Sequence, residues 1–168
     1  MAVDLFTFVG MYDRALGTLG HVLDRGAERA RALGASEAEM LEWRLIDDMN
    51  PLSFQARVVI NFTKQWTARV AGLEVPPDIA TDLDVAGLKA EIANAKAWLA
   101  ALKPEQFAGR DDVVLKISLG QLEPTFSLGQ WLASFATTNV YFHLSMAYAI
   151  LRARGANLGK VDLFAGGL

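Results

Sequence analysis

From Asp4 to Leu33 the apolar residues fall at Leu5, Phe8, Val9, Tyr12, Leu16, Leu19, Leu23, Ala27 and Ala30, the three-and-four spacing of one face of an α-helix. The opposite face carries Arg14, His21, Asp24, Arg25 and Glu28, which places His21 on the solvent side. Gly34 stands where a left-handed residue ends a helix, and Ser36 with Glu39 forms a capping-box pattern that starts a short second piece. Asn50-Pro51 marks a third start, with Asn as cap and Pro at the first helical position. The helix that follows carries Leu52, Ala56, Val59, Thr63, Trp66 and Val70 on one stripe and stops at Gly72 and Pro76-Pro77. After Asp82 or Asp84, the series Val85, Leu88, Ile92, Ala95, Leu99 and Leu102 has the seam pattern of a helix bundle.

Between Asp112 and Ser127 the periodicity changes. Val113-Val114-Leu115-Lys116-Ile117, a turn at Gly120-Gln121, and Leu122 to Phe126 predict a β-hairpin, with Pro124 confining its strand to an edge. A last long helix is expected from Leu128 to Arg154, closed by Gly155, and a short tail after it has apolar residues that can dock on the bundle. No Asp, Glu, Lys or Arg occurs from Pro124 to Leu151. That length could span a bilayer, but Gln130, Thr137, Thr138, Asn139 and His143 interrupt it, and the other helical segments have charged faces. The pattern is that of a central buried helix. The reading is all-α: a single domain over residues 1–168, an up-and-down-type bundle of four long helices with a crossover connection and a hairpin before the last helix.

Composition narrows the function classes. Of 168 residues, 52% are hydrophobic and 21% charged, with 16 Lys+Arg against 19 Asp+Glu. This is core-forming material for one domain. The net charge of -3 argues against nucleic acid as a partner, because phosphate neutralisation needs a basic surplus. Cys is absent, which excludes disulfides, Cys-ligated metal and thiol nucleophiles. The start carries Asp4 and no Lys or Arg before its apolar residues, unlike a secretory signal, so the expected compartment is the cytoplasm with no membrane partner.

Candidate chemistry concentrates on the last helix. Asn139 and His143 are four apart, on one face with Leu132, Phe135, Ala136, Met146 and Ile150. Two polar groups facing an apolar interior need a partner or a ligand. They are either a binding-site wall that could include a metal ligand, or a satisfied core histidine that fixes helix register. A metal at His143 would need carboxylates, because His21 is on the wrong face, and Asp47 and Asp48 are the nearest suppliers; their alternative role is to offset the dipole of the helix they precede. Arg57, Asn61 and Lys64 read as a solvated face. Tyr141, Ser145, Tyr148 and Arg152 form a second stripe on the last helix, a pocket wall or a self-association surface. Phosphate loops, nucleophile elbows and paired-histidine zinc motifs are missing.

Arg44-Leu-Ile-Asp-Asp-Met-Asn-Pro-Leu52, Arg69-Val-Ala-Gly-Leu-Glu-Val-Pro-Pro77, Asn139-Val-Tyr-Phe-His143 continuing to Arg152, and Leu158-Gly-Lys-Val-Asp-Leu-Phe164 together resemble an uncharacterised bacterial family, domain of unknown function nineteen ninety-three. That family looks like a branch of the DinB/YfiT-like superfamily of four-helix bundles, often homodimeric, whose better-known members hold a divalent metal with three histidines and include thiol transferases. The resemblance implies that the superfamily's His-x-x-x-His pair corresponds to Asn139 and His143, and that Asp48 lies near the source of its other histidine. Ser134 and Thr138 stand where relatives have a His and a Pro. Two functions follow as expectations. One is a homodimeric small-molecule-binding or scaffold bundle that lacks the three-histidine site, with Asp47, Asp48, Asn139, Tyr141 and His143 as ligand contacts. The other is a hydrolase or thiol transferase with zinc or nickel on His143 and Asp48.

Overall fold

The computed structural model describes residues 4–167. Helix α1 spans Thr7–Leu33, α2 Glu37–Leu41, α3 Leu52–Ala71 and α4 Val85–Ala100. Strands β1, Val114–Lys116, and β2, Thr125–Ser127, form the hairpin; α5, Leu128–Gln130, leads into a π-helical stretch, Trp131–Ala136, and then α6, Thr137–Ala153. The termini follow the expected chemistry. Asp4 Oδ1 accepts from Thr7 N ahead of α1, Ser36 and Glu39 close a capping box, and Asp84 accepts from Gly87 N. Gly34 and Gly72 take left-handed backbone at φ 72° to end α1 and α3. One boundary differs: Pro51, not Asn50, occupies the cap of α3, and no side chain caps it. Asn50 serves instead through its carbonyl, which accepts from Gln55 Nε2 at 3.0 Å.

Helix directions follow from cross-helix pairs. Along α3 and the last helix, Gln55 meets His143, Phe62 meets Phe135 and Trp66 meets Trp131, so these two run antiparallel. Tyr12 meets Thr137 and Gly26 lies against Leu151, so α1 runs parallel to α6. Lys96 pairs with Asp13 and Lys89 with Asp24, which makes α4 antiparallel to α1. The order is therefore up, down, down, up, and the strict alternation of an up-and-down bundle is broken once. The break is the expected crossover: residues 72–84 return along α3, where Gln65 Nε2 donates to Pro76 O and Asp78, and Ile79 N donates to Asn61 Oδ1. α1 and α3 both pack against α4 and α6 and touch each other, leaving α4 and α6 at opposite corners.

That crossover corrects one expectation. Asn61 is buried beneath Ile79, and Lys64 lies 4.0 Å from Glu91 of α4; Arg57 is half-buried, with its Nε enclosed and unpartnered. The face read as solvated is covered because the returning chain adds a layer that a helical wheel of α3 does not contain. His21 is corrected similarly: the tail folds back over α1, and His21 Nε2 lies 2.6 Å from Asp162 Oδ1. Thr18 holds the same tail through Leu163 O and Gly166 N, while Ala156 and Leu158 are buried in the core. The hairpin turns at Gly120-Gln121 as expected, with Gly120 at φ 73°. It is anchored by Trp131, whose indole donates to Leu115 O at 2.8 Å. Among the described residues no helix is long and apolar enough to cross a membrane.

Candidate functional site

The last helix begins with wide turns, and that changes which side chains it buries. Thr137 Oγ1 donates to Leu132 O, five residues back, at 2.8 Å, the reach of a π-helical turn. With that proton committed, the Tyr12 hydroxyl donates to Thr137 Oγ1 at 3.0 Å, and burial pushes the Tyr12 phenol pKa up. The buried positions along this helix are Leu132, Ala136, Val140, Leu144, Ala147, Ile150 and Leu151. Asn139 and His143 stand on its shoulder, both half-buried. They are not in the deep interior that a regular helix from Leu128 suggests, because the π turn changes the phase of everything after it.

His143 is held from α3. Gln55, 2% exposed, donates through Nε2 to Asn50 O, which turns its Oε1 toward the imidazole at 2.7 Å from His143 Nδ1. Nδ1 therefore carries the proton and donates, and Nε2 presents a lone pair. Among the described residues Nε2 has no hydrogen-bond partner. Burial holds the imidazole pKa below its usual value, so the ring is neutral near pH 7. Phe54 and Phe142 meet its ring edge-to-face at 5.9 and 5.1 Å. One turn earlier, Asn139 Nδ2 donates to Phe135 O at 2.8 Å, leaving Oδ1 as an acceptor. The product is two neutral acceptors four residues apart, flanked by aromatic rings.

The other expected site residues lie elsewhere. Asp47 and Asp48 are exposed in the connection before α3, and neither makes a hydrogen bond or ion pair with His143. Tyr141, 40% exposed, lines a groove of about 380 Å³ with Met11, Arg14, Leu163 and Phe164. That groove lies between α1, α6 and the tail, on a different face from His143. Tyr148 of the same stripe packs on the core. Gln55 belongs to none of the motifs of chemistry-bearing residues in the sequence. Its signal was nonetheless present, since a Gln between Leu52, Ala56 and Val59 lies on the buried stripe of α3 and must be satisfied there.

Zinc or nickel at a superfamily-type site would need three donors with charge or imidazole character. Among the described residues no group of three His, Cys, Asp or Glu side chains comes together. The side chains shown with His143 are amides: Gln55, committed at both ends, and Asn139, committed at its nitrogen. The donor set does not fit such an ion.

The profile of a domain of unknown function, DUF1993, matches residues 6–164. A crystal structure of a DinB family member protein from Shewanella denitrificans superposes with a TM-score of 0.82 at 26% identity, covering 92% of this chain and 88% of that one. No curated protein matches the chain. The bundle, its hairpin before the last helix and the match across nearly the whole length agree: the chain belongs to the DUF1993 family and has a DinB-like fold.

Proposed function

We propose that this protein is a small-molecule-binding bundle, homodimeric, that takes its ligand at the His143–Asn139 face without a three-histidine metal site. The observation that supports this is the Asn50–Gln55–His143 chain, which fixes the imidazole as an acceptor. With Asn139 one turn earlier on the same helix and its Oδ1 uncommitted, the face suits a ligand that donates hydrogen bonds and carries an apolar body against Phe54. A primary amine or alcohol on an aromatic ring has that chemistry. Self-association is supported by Tyr141, an aromatic side chain that α6 leaves 40% exposed on a different face from His143.

The test combines elemental analysis of protein never exposed to chelator or nickel resin with saturation-transfer NMR of benzylamine and benzyl alcohol. Metal-free protein and a ligand signal lost in His143→Leu are the expected results. Near-stoichiometric zinc or nickel that disappears in His143→Ala would overturn the reading in favour of a metal-dependent hydrolase or thiol transferase. A dimer by light scattering that persists in Tyr141→Glu would refute the association face.

A further inference from the structure

At the other end of α3, two arginines share one cavity with no acid. Arg69 lies in the last turn of α3 with its guanidinium 5.2 Å from the Trp66 ring centroid. Arg110 reaches over the end of the same helix, its Nε donating to Val70 O at 2.5 Å. Gly72 makes the approach possible, because a Cβ there would sit 2.9 Å from that guanidinium. Both side chains line a cavity of about 410 Å³ whose remaining wall is Val113, Val114, Leu115, Ile117, Leu128 and the stem of Lys116. The Lys116 ammonium is already paired with Glu123. Among the described residues no carboxylate is within ion-pair distance of Arg69 or Arg110. The negative end of α3 offsets part of their charge, and neither guanidinium is neutralised by a paired carboxylate.

We propose that this cavity binds a small amphipathic anion, a medium-chain fatty carboxylate, with its head between Arg69 and Arg110 and its chain along the apolar hairpin wall. The terminal nitrogens of Arg110 remain available because only its Nε is committed to Val70 O. A guanidinium fork matches a carboxylate in two parallel hydrogen bonds. The volume falls within the range of small-ligand pockets, and a mostly apolar lining with a few convergent polar groups is their usual composition. Val114 is 65% exposed and Val113 44%, so a hydrocarbon chain laid there would cover surface now facing water. Gln55 and Arg69 are fourteen residues apart on α3, about 21 Å along the helix, so this site is separate from the His143 face.

Calorimetric titration with octanoate tests it, with octanol and octylamine in parallel and Trp66 fluorescence as a second readout. Saturable one-to-one octanoate binding is expected, weakened by added salt. Arg69→Gln and Arg110→Gln should each raise the dissociation constant about ten-fold or more, while Arg31→Gln on α1 leaves it unchanged. Because Arg110 also holds the end of α3, Arg69→Gln with unchanged helicity by circular dichroism is the deciding variant. Octanol or octylamine binding as tightly as octanoate would overturn the proposal, as would equal octanoate affinity in Arg69→Gln. Binding to anionic-lipid-free and anionic vesicles alike, with no saturable octanoate uptake, would overturn it in favour of a lipid surface.

Discussion

Removing Gln55 and His143 singly and together measures whether the pair is a built unit. Gln55 is enclosed, so His143→Ala strands its Oε1 away from protein partners, a penalty of about 1–3 kcal/mol for a buried unsatisfied group. The half-exposed position of His143 lets water reach the vacated space, which puts the expected cost near the lower end, about 1–2 kcal/mol. Gln55→Leu removes two hydrogen bonds, to Asn50 O and His143 Nδ1, at about 1 kcal/mol each. Gln55→Leu/His143→Ala removes both partners, so it should be more stable than the sum of the single changes by about 1–1.5 kcal/mol. Urea unfolding at pH 7.5 gives the three values. A pH series adds an independent check with a fixed sign. Burial lowers the His143 pKa below 6.5 in the folded state, so the unfolded chain binds more protons as pH falls through 6.5. The contribution of neutral His143 is therefore complete above 6.5 and is lost as pH drops from 6.5 to the folded value. The wild type should lose stability relative to the double variant over that interval. Additivity within about 0.3 kcal/mol, or a wild type that gains on the double variant in acid, would refute the assignment of a neutral, Gln55-bound imidazole.

Three further outcomes follow from the packing. Gly26→Ala would place a Cβ 2.7 and 2.8 Å from the Leu151 methyls and 3.0 Å from Met40 Sδ; both neighbours are fully enclosed, so thermal unfolding should show a loss of about 1–3 kcal/mol from overpacking. Trp131→Ala removes the largest enclosed side chain and the indole bond to Leu115 O, and should cost about 3–5 kcal/mol while loosening residues 113–127 in hydrogen exchange. Asp162→Asn should release the tail, seen as faster exchange at 159–167 with the bundle unchanged. The Gly159 N–H and His21 hold the Asp162 carboxyl pKa below 3.8, so the latch is complete above 3.8 in the wild type and opens as pH falls through the folded value.

Periodicity made most of the bundle legible. The four long helices, the left-handed glycine stops at Gly34, Gly72 and Gly155, the Ser36 cap, one of the two candidate caps before α4 and the Gly120 turn all follow from local rules that the chain obeys. The crossover was expected, but its place was not legible, because parallel α3 and α4 depend on residues 72–84 lying back along α3 rather than turning tightly, and Pro76-Pro77 is compatible with both. The same return covers Asn61, which a single-helix wheel assigns to solvent. The π turn at Trp131–Ala136 has no signature in the apolar spacing, so the depth of Asn139 and His143 was overestimated. Their shared face was right, and so was the need of His143 for a partner. The identity of that partner was available in Gln55, a polar residue on a buried stripe.

Two neutral acceptors account for the character of the His143 face. At four-residue spacing on an α-helix, two side chains are about 6 Å apart along the axis and can converge on one bound group. With two imidazoles, that group can be a divalent ion, since each ring offers a nitrogen lone pair and further ligands complete the charge. Here the first position is Asn139, whose nitrogen is spent on Phe135 O and whose oxygen is neutral. The support behind His143 is likewise an amide, Gln55, not a carboxylate that would raise the ring's basicity. An ion placed against these groups would give up its water shell for two neutral donors, and no third ligating side chain gathers there among the described residues. A hydrogen-bond donor loses far less hydration and finds both acceptors already oriented. On the proposed reading, the electrostatics of this face favour an N–H or O–H ligand over a metal cation.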